Sequence, residues 1–173
     1  MGESDRFLDY KIKKQRFTLG QPNNALVWLF VINIIFYLVL ATIKVAISVN
    51  DNSDAAFYAQ VVPWFQLPAS LSVLSSRPWT FFTYMFSDVE LFRAISNMLW
   101  LWAFGGILQN LTGNRKLIPV YLYGGFAGAL FFITATYLIP SNRALIDSAS
   151  LLGANAPVMA VAVAATMVVP NYR

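Results

Sequence analysis

The sequence contains neither cysteine nor histidine. Without cysteine, these residues can form no disulfide bond and supply no thiolate as nucleophile or metal ligand. The absence of histidine removes the side chain that most often acts as a general base and most often binds a metal ion. We therefore expect the chain to hold no metal and no cofactor.

Charge is also scarce. Only 12% of the 173 residues are charged and 58% are hydrophobic, whereas soluble domains are about 25% charged. This composition predicts a membrane protein with a single compact domain. The formal net charge of +4 does not indicate a nucleic-acid partner, because the basic residues lie beside hydrophobic segments and form no groove-like cluster.

Four hydrophobic segments are each long enough to cross a hydrocarbon core of about 30 Å at about 1.5 Å per residue. The predicted spans are residues 25–47, 91–111, 117–139 and 151–169. Residues 1–24 are polar and interleave basic with aromatic side chains, which is typical of a cytoplasmic segment lying on anionic headgroups. The transmembrane domain is predicted to cover residues 25–173, as an all-α helical bundle in a lipid bilayer.

The connection between the first two spans is unusually aromatic. Residues 49–90 are too rich in aromatic side chains for a solvated linker and too often interrupted by proline for a span. We predict a structured segment that lies partly in the membrane interface, where amphipathic aromatic rings are favoured. The residues expected at the interface are Trp64, Arg77, Pro78 and Trp79.

The basic residues predict an orientation. Lys and Arg total 12, and two thirds of them fall on the side of the N-terminus when the four spans cross in turn. These are Arg6, Lys11, Lys13, Lys14, Arg16, Arg115, Lys116 and Arg173. The positive-inside rule then places both termini in the cytoplasm and the aromatic segment outside. The expected location is a bacterial inner (plasma) membrane.

Small residues mark one face of each of the last two spans. Gly124 and Gly128 lie four residues apart on the third span, and Ala156, Ala160 and Ala164 repeat at the same interval on the fourth. Such faces allow helix backbones to approach closely. We expect both faces to favour a partner helix, either from the same protein or from another subunit of a membrane complex.

The fourth span opens on Gly153-Ala154-Asn155-Ala156, and Asn155 is its only strongly polar side chain before Thr166. Two interpretations are open at this point. Asparagine is a good helix cap, which is the simpler reading of these residues alone. A polar group inside lipid is, however, a functional-site hypothesis by default.

Several short motifs resemble the rhomboid family of intramembrane serine proteases, in the order and with the spacing of that family. They are Arg77-Pro78-Trp79-Thr80, Tyr84-Met85-Phe86, Asn97-Met98-Leu99-Trp100, Gly105-Gly106 and Gly153-Ala154-Asn155-Ala156. The resemblance implies a rhomboid-like helical bundle in which four of the usual six transmembrane helices are visible here. It also implies a short fourth helix that starts at the floor of a cavity open to the outside.

The resemblance also assigns residues to the family's catalytic positions. Its nucleophilic serine falls on Asn155, and its oxyanion-stabilising His-x-x-x-Asn motif reads Arg93-x-x-x-Asn97, so that only Asn97 is retained. A further loop histidine falls on Ser87. The nitrogen of an asparagine amide is a poor nucleophile because its lone pair is delocalised, and acyl transfer needs an activated nucleophile. We therefore expect an inactive, pseudoprotease-like member that is not an enzyme.

Two functions follow from the sequence. The chain either binds other transmembrane helices, alone or as a subunit of a membrane complex, or it is an intramembrane serine endopeptidase of the rhomboid family. A channel or transport subunit is disfavoured, because the spans carry almost no ionisable residues that could line a pathway.

Overall fold

The computed structural model describes residues 24–51 and 54–168. Three of its helices are long and apolar enough to cross a membrane. They are α1 (Ala25–Asp51), α5 (Leu91–Thr112) and α6 (Asn114–Leu138). The predicted all-α membrane bundle is confirmed. Apart from Asn24, the predicted cytoplasmic segment 1–24 lies outside the described residues, and its boundary with the transmembrane domain stays a prediction.

The predicted start of the fourth span, residue 151, is wrong. Leu151 belongs to a short strand, and Gly153 follows with φ +113° before the helix α7 (Asn155–Val168) begins. As described, this helix has 14 residues, or about 21 Å at 1.5 Å per residue, which is less than a hydrocarbon core. The apolar side chains of Leu151 and Leu152 continue the hydrophobic run in sequence but not the helix.

The aromatic segment folds into several short elements. They are the helices α2 (Ala55–Gln60), α3 (Leu71–Ser76) and α4 (Thr80–Thr83), a 3-10 helix (Val62–Trp64) and the strand β1 (Leu67–Pro68). A second 3-10 helix (Pro140–Leu145) and the strand β2 (Ser150–Leu151) follow α6. The two strands are antiparallel, with Leu67 opposite Leu151. This pairing fixes the segment beside the start of α7.

The hydroxyl of Tyr121 joins three parts of the bundle. It lies 2.8 Å from the carbonyl oxygen of Met85 and 3.3 Å from Oδ1 of Asn33. The amide of Asn33 in turn donates to the carbonyl of Leu29, one turn earlier in α1. The core therefore places α1, α6 and the segment before α5 in fixed positions relative to one another.

The two small-residue faces pack against each other. A Cβ atom added to Gly124 would lie 2.1 Å from Cβ of Ala160, and one added to Gly128 would lie 2.5 Å from Cβ of Ala156. Ala164 packs against the main hydrophobic core. Of the two alternatives in our expectation, the structure shows a partner helix from the same protein, because α6 and α7 cover each other at these faces.

Candidate functional site

Several hydrogen-bond donors near the start of α7 converge on one buried carboxylate, that of Asp88. Oδ1 of Asp88 accepts a hydrogen bond from Nε of Arg93 at 2.9 Å, and Oδ2 accepts one from Nδ2 of Asn97, also at 2.9 Å. The backbone N–H of Ala154 donates to Oδ2 at a longer 3.4 Å. Asp88 is 4% exposed and Asn97 is 6% exposed. We call these four residues the Asp88 cluster.

The turn before α7 depends on Gly153. Its φ of +113° lies in the region that glycine adopts readily, and its N–H donates to the carbonyl of Tyr84 at 3.0 Å. A Cβ atom at this position would lie 2.7 Å from Oδ1 of Asp88. Gly153 therefore lets the backbone turn so that the N–H of Ala154 points to the Asp88 carboxylate. Because glycine has no side chain, it also leaves room for that carboxylate.

Tyr84 holds the other side of this turn. Its hydroxyl donates to the carbonyl of Gly125 on α6. Burial raises the pKa of Tyr84 to about 12, since the ionised form would lose its hydration. The phenol therefore remains a hydrogen-bond donor well above neutral pH, and its bond to Gly125 links the segment before α5 to α6.

Arg93 is the cation of the Asp88 cluster, and it contacts two carboxylates, those of Asp88 and Glu90. Arg93 also approaches Glu90, with 3.4 Å between Nη2 and Oε1. The side chain of Glu90 is 64% exposed, whereas that of Asp88 is 5% exposed. Exposed ion pairs contribute little, so the buried contact to Asp88 is the one that orients Arg93.

Asn155 follows the cluster directly but is not part of its hydrogen bonds. It is the first residue of α7 and is exposed. The N–H of Val158 donates to the carbonyl of Ala154, so the cap position belongs to Ala154 and not to Asn155. Within the part of the chain that the structure describes, no hydrogen bond of the Asn155 side chain is present.

The predicted interface residues form a separate stacked group. The guanidinium of Arg77 lies 4.3 Å from the ring centroid of Trp64, and its Nη1 donates to the carbonyl of Pro63 at 3.0 Å. The rings of Trp64 and Trp79 stack at 6.0 Å, and Nε1 of Trp79 donates to the carbonyl of Trp64. Pro78 lies between Arg77 and Trp79 in the sequence, the two residues whose side chains stack on Trp64. Their depth in the membrane stays a prediction.

A cleft of 390 Å³ lies between α1 and α5 and reaches Asp88. Its lining is mostly apolar and aromatic. The lining residues are Phe30, Asn33, Ile34, Tyr37, Phe86, Asp88, Leu91, Ala94, Ile95, Met98, Leu99 and Trp102. The cleft therefore leads from the surface between two membrane-length helices to Asp88.

Sequence reasoning missed Asp88. It placed a catalytic-type loop position on Ser87, whose hydroxyl instead donates to the carbonyl of Thr83 at 2.8 Å. One signal was available: an acid between Phe86 and Val89, five residues before an arginine. A carboxylate in apolar surroundings needs a partner, and the nearest basic residue in sequence is Arg93.

The chain is similar to known membrane proteins. The family model of the Rhomboid domain matches residues 75–173, which is more than half of the chain. The chain belongs to the rhomboid family. With three membrane-length apolar helices, it is a rhomboid-like integral membrane protein whose environment is a lipid bilayer. No solved structure matches it significantly.

Curated relatives of this rhomboid chain are named as proteases. They include the rhomboid protease GlpG of Salmonella newport (strain SL254) and that of Salmonella typhi, each 26% identical over 119 residues. The matched part is 69% of this chain and 38% of each relative. The chain therefore spans well under half the length of the relatives that it matches.

These relatives correct our expectation that the chain is not an enzyme. The expectation depended on Asn155 and Arg93 at two positions that the resemblance assigned to catalysis. The family to which the chain belongs, and the names of its relatives, point to an enzyme instead. What the geometry adds is that both assigned helix positions, Arg93 and Asn97, converge on one carboxylate.

Proposed function

We propose that this rhomboid chain binds a transmembrane helix of another protein in the cleft between α1 and α5. The cleft carries this proposal, because it opens between two long apolar helices and is lined by large apolar side chains. In lipid, helices associate through close van der Waals packing and occasional polar contacts, which this lining provides. Side chains of the bound helix would enter the cleft, while its backbone stays outside.

The exposed face of α5 supports the same proposal. Ile95 and Leu99 line the cleft, yet they are 55% and 62% exposed. Trp102, one turn further along, is 55% exposed. These side chains would contact a helix laid along α5.

Photo-cross-linking tests helix binding. A photoreactive amino acid at Leu99 is expected to capture a bound transmembrane segment, because Leu99 lines the cleft. The matched control is Leu130 on α6, a leucine of similar exposure, 57% against 62%, that does not line the cleft. The measurement is the yield of cross-linked, sequenced membrane protein from intact membranes.

Equal yields at Leu99 and Leu130, or adducts to lipid alone at Leu99, would contradict helix binding. A single stoichiometric adduct would identify a subunit of a membrane complex, whereas many substoichiometric adducts would identify transient clients.

A second function, intramembrane serine endopeptidase activity, is favoured by the Asp88 cluster beside position 155. A side-chain amide, an arginine and a backbone N–H converge on one anion, and donors of this kind stabilise the oxyanion of acyl transfer. Such a reaction also needs an activated hydroxyl or thiol, and the asparagine at position 155 does not supply one.

Cleavage by the wild type is the test of this second function. Under it, the whole protein in its membrane is expected to cleave a reporter that carries one transmembrane helix, and membranes without the protein are the control. Asn155→Ser alone is expected to add no cleavage, because the 173 residues contain no histidine that could activate the new hydroxyl. Cleavage products are measured by mass spectrometry. Absence of product from the wild type, with cross-linking at Leu99 retained, would reject the endopeptidase and leave helix binding intact.

A further inference from the structure

We propose that the chain binds a zwitterionic aminophospholipid, of the phosphatidylethanolamine class, at the membrane boundary where α1, α2 and α5 meet. Lys44 binds the phosphate of its headgroup, and Glu90 binds the ammonium group. This inference goes beyond the proposed helix binding and does not depend on it.

A hollow of 840 Å³ lies where these three helices meet. Its volume is within the range of about 300–1,000 Å³ that is typical of ligand sites. Its polar lining comes from three parts of the chain, which are the end of α1 (Lys44 and Ser48), the region of α2 (Asp54 and Tyr58) and the residue before α5 (Glu90). The hollow therefore combines charges that are distant in sequence.

The hollow is placed at the height of lipid headgroups. About 28 Å of helix separates Ala25 from Lys44 at about 1.5 Å per residue, which is close to the thickness of a hydrocarbon core. Val49 and Phe92 also line the hollow, and they are 74% and 89% exposed. Exposed apolar side chains beside charged ones are typical of the membrane boundary.

The charges of the lining favour a zwitterion. Lys44 is its cation, whereas Asp54 and Glu90 are anions. Asp54 is already bound within the site, because its Oδ2 lies 2.9 Å from Nζ of Lys44 and its Oδ1 accepts a hydrogen bond from the Ser48 hydroxyl at 2.6 Å. An anionic lipid would meet a lining whose formal charge is negative, whereas a zwitterion brings its own cation.

Lys44 retains donors for a phosphate. A lysine ammonium group has three N–H donors, and the ion pair with Asp54 uses one of them. The Tyr58 ring holds the same group from another side, with 5.4 Å between Nζ and the ring centroid. Because the Lys44 side chain is 29% exposed, a phosphate oxygen can reach it while the ion pair with Asp54 stays intact.

Glu90 provides the acceptor for the ammonium group. Its side chain is 64% exposed, and its distance to Arg93 is 3.4 Å, longer than the 2.9 Å between Arg93 and Asp88. Arg93 is not among the residues that line the hollow. An ammonium group can donate N–H bonds to this carboxylate, whereas the choline of phosphatidylcholine has no N–H to donate.

The acyl chains of such a lipid have an apolar path away from the hollow. Tyr37 and Leu91 line both the hollow and the apolar cleft between α1 and α5. A chain that leaves the headgroup can therefore follow these two helices into the cleft.

The test is native mass spectrometry of the whole protein in detergent. It is titrated with phosphatidylethanolamine, phosphatidylcholine or phosphatidylglycerol, all with the same acyl chains. The Kd for phosphatidylethanolamine is expected to be lower than the other two by about fivefold, the upper end for an exposed charge pair. Phosphatidylcholine tests the need for N–H donors, and phosphatidylglycerol tests the need for a cation.

Variants assign the preference to the two charges. Glu90→Gln is expected to raise the Kd for phosphatidylethanolamine to that for phosphatidylcholine. Asp147→Asn is the matched control, because Asp147 is an exposed carboxylate that does not line the hollow, and it is expected to behave like the wild type. Lys44→Gln is expected to weaken all three lipids, whereas Lys44→Arg keeps the charge and is expected to retain the preference.

Three results overturn the proposal. They are equal dissociation constants for the three lipids, tighter binding of phosphatidylglycerol, and a Glu90→Gln protein that behaves like Asp147→Asn. Soluble phosphoethanolamine, which has the headgroup without acyl chains, is expected not to displace the lipid at equal concentration. Displacement would overturn the proposal as well, because the site would then take a soluble zwitterion and not a membrane lipid.

Discussion

Gly124→Ala is expected to destabilise the bundle by about 3 kcal/mol, at the upper end of the usual cost of overpacking. The added methyl group would lie 2.1 Å from Cβ of Ala160, far inside van der Waals contact. Neither partner is the flexible end of a long side chain, so α6 and α7 themselves must separate. The free energy of unfolding in mixed micelles is the measurement.

The neighbouring glycine provides a matched control. A Cβ atom at Gly125 would meet Cε and Sδ of Met85 at 2.7 Å and 2.8 Å, but a methionine side chain can move away. Gly125→Ala is therefore expected to cost less than about 1 kcal/mol, because alanine also favours the helix.

A compensating substitution sharpens this test. In the double variant of Gly124→Ala with Ala160→Gly, one methyl group is moved from α7 to α6, so the total volume at the contact stays the same. We expect it to recover most of the stability lost in Gly124→Ala. A double variant no more stable than Gly124→Ala alone, or a Gly124→Ala protein as stable as Gly125→Ala, would show that this contact does not hold the two helices together.

Asp88→Ala is expected to cost about 3 kcal/mol in the free energy of unfolding, at the low end for breaking a buried ion pair. The low end applies because the Arg93 side chain is 30% exposed and can regain part of its hydration. The side-chain amide of Asn97 is buried and cannot regain hydration in this way. Its loss of an acceptor adds a desolvation penalty that the alanine does not relieve.

Glu90→Ala is the control for charge removal beside Arg93. Its side chain is 64% exposed and its contact with Nη2 of Arg93 is 3.4 Å, so we expect a loss below about 1 kcal/mol. Both variants are measured by the same unfolding titration. Similar losses for Asp88→Ala and Glu90→Ala would mean that the buried carboxylate is not the organising group of the cluster.

The three long helices were predictable from sequence alone. The predicted spans 25–47, 91–111 and 117–139 correspond to α1, α5 and α6, with ends shifted by a few residues. A long apolar run is a local property, and a membrane-length helix is the structure that satisfies its backbone in lipid. The short motifs, taken together, also indicate the rhomboid family, because their order and spacing are properties of the sequence itself.

The start of α7 could not be predicted in the same way. Leu151 and Leu152 extend the apolar run of the helix that follows, and hydropathy does not distinguish a buried strand from a helix over a few residues. The pairing of Leu151 with Leu67, 84 positions away in the chain, determines the outcome. The two small-residue faces could each be found in sequence, but their mutual contact could not.

The sequence by itself determined a rhomboid-type membrane bundle, the scarcity of ionisable groups and the residues at the motif positions, because each follows from composition or from short-range order. Only the tertiary structure decided that Arg93 and Asn97 converge on Asp88. The third donor, Ala154, lies 66 positions from Asp88, and the turn at Gly153 brings it there. Which donors meet a buried carboxylate depends on contacts between distant segments, and no local pattern encodes those contacts.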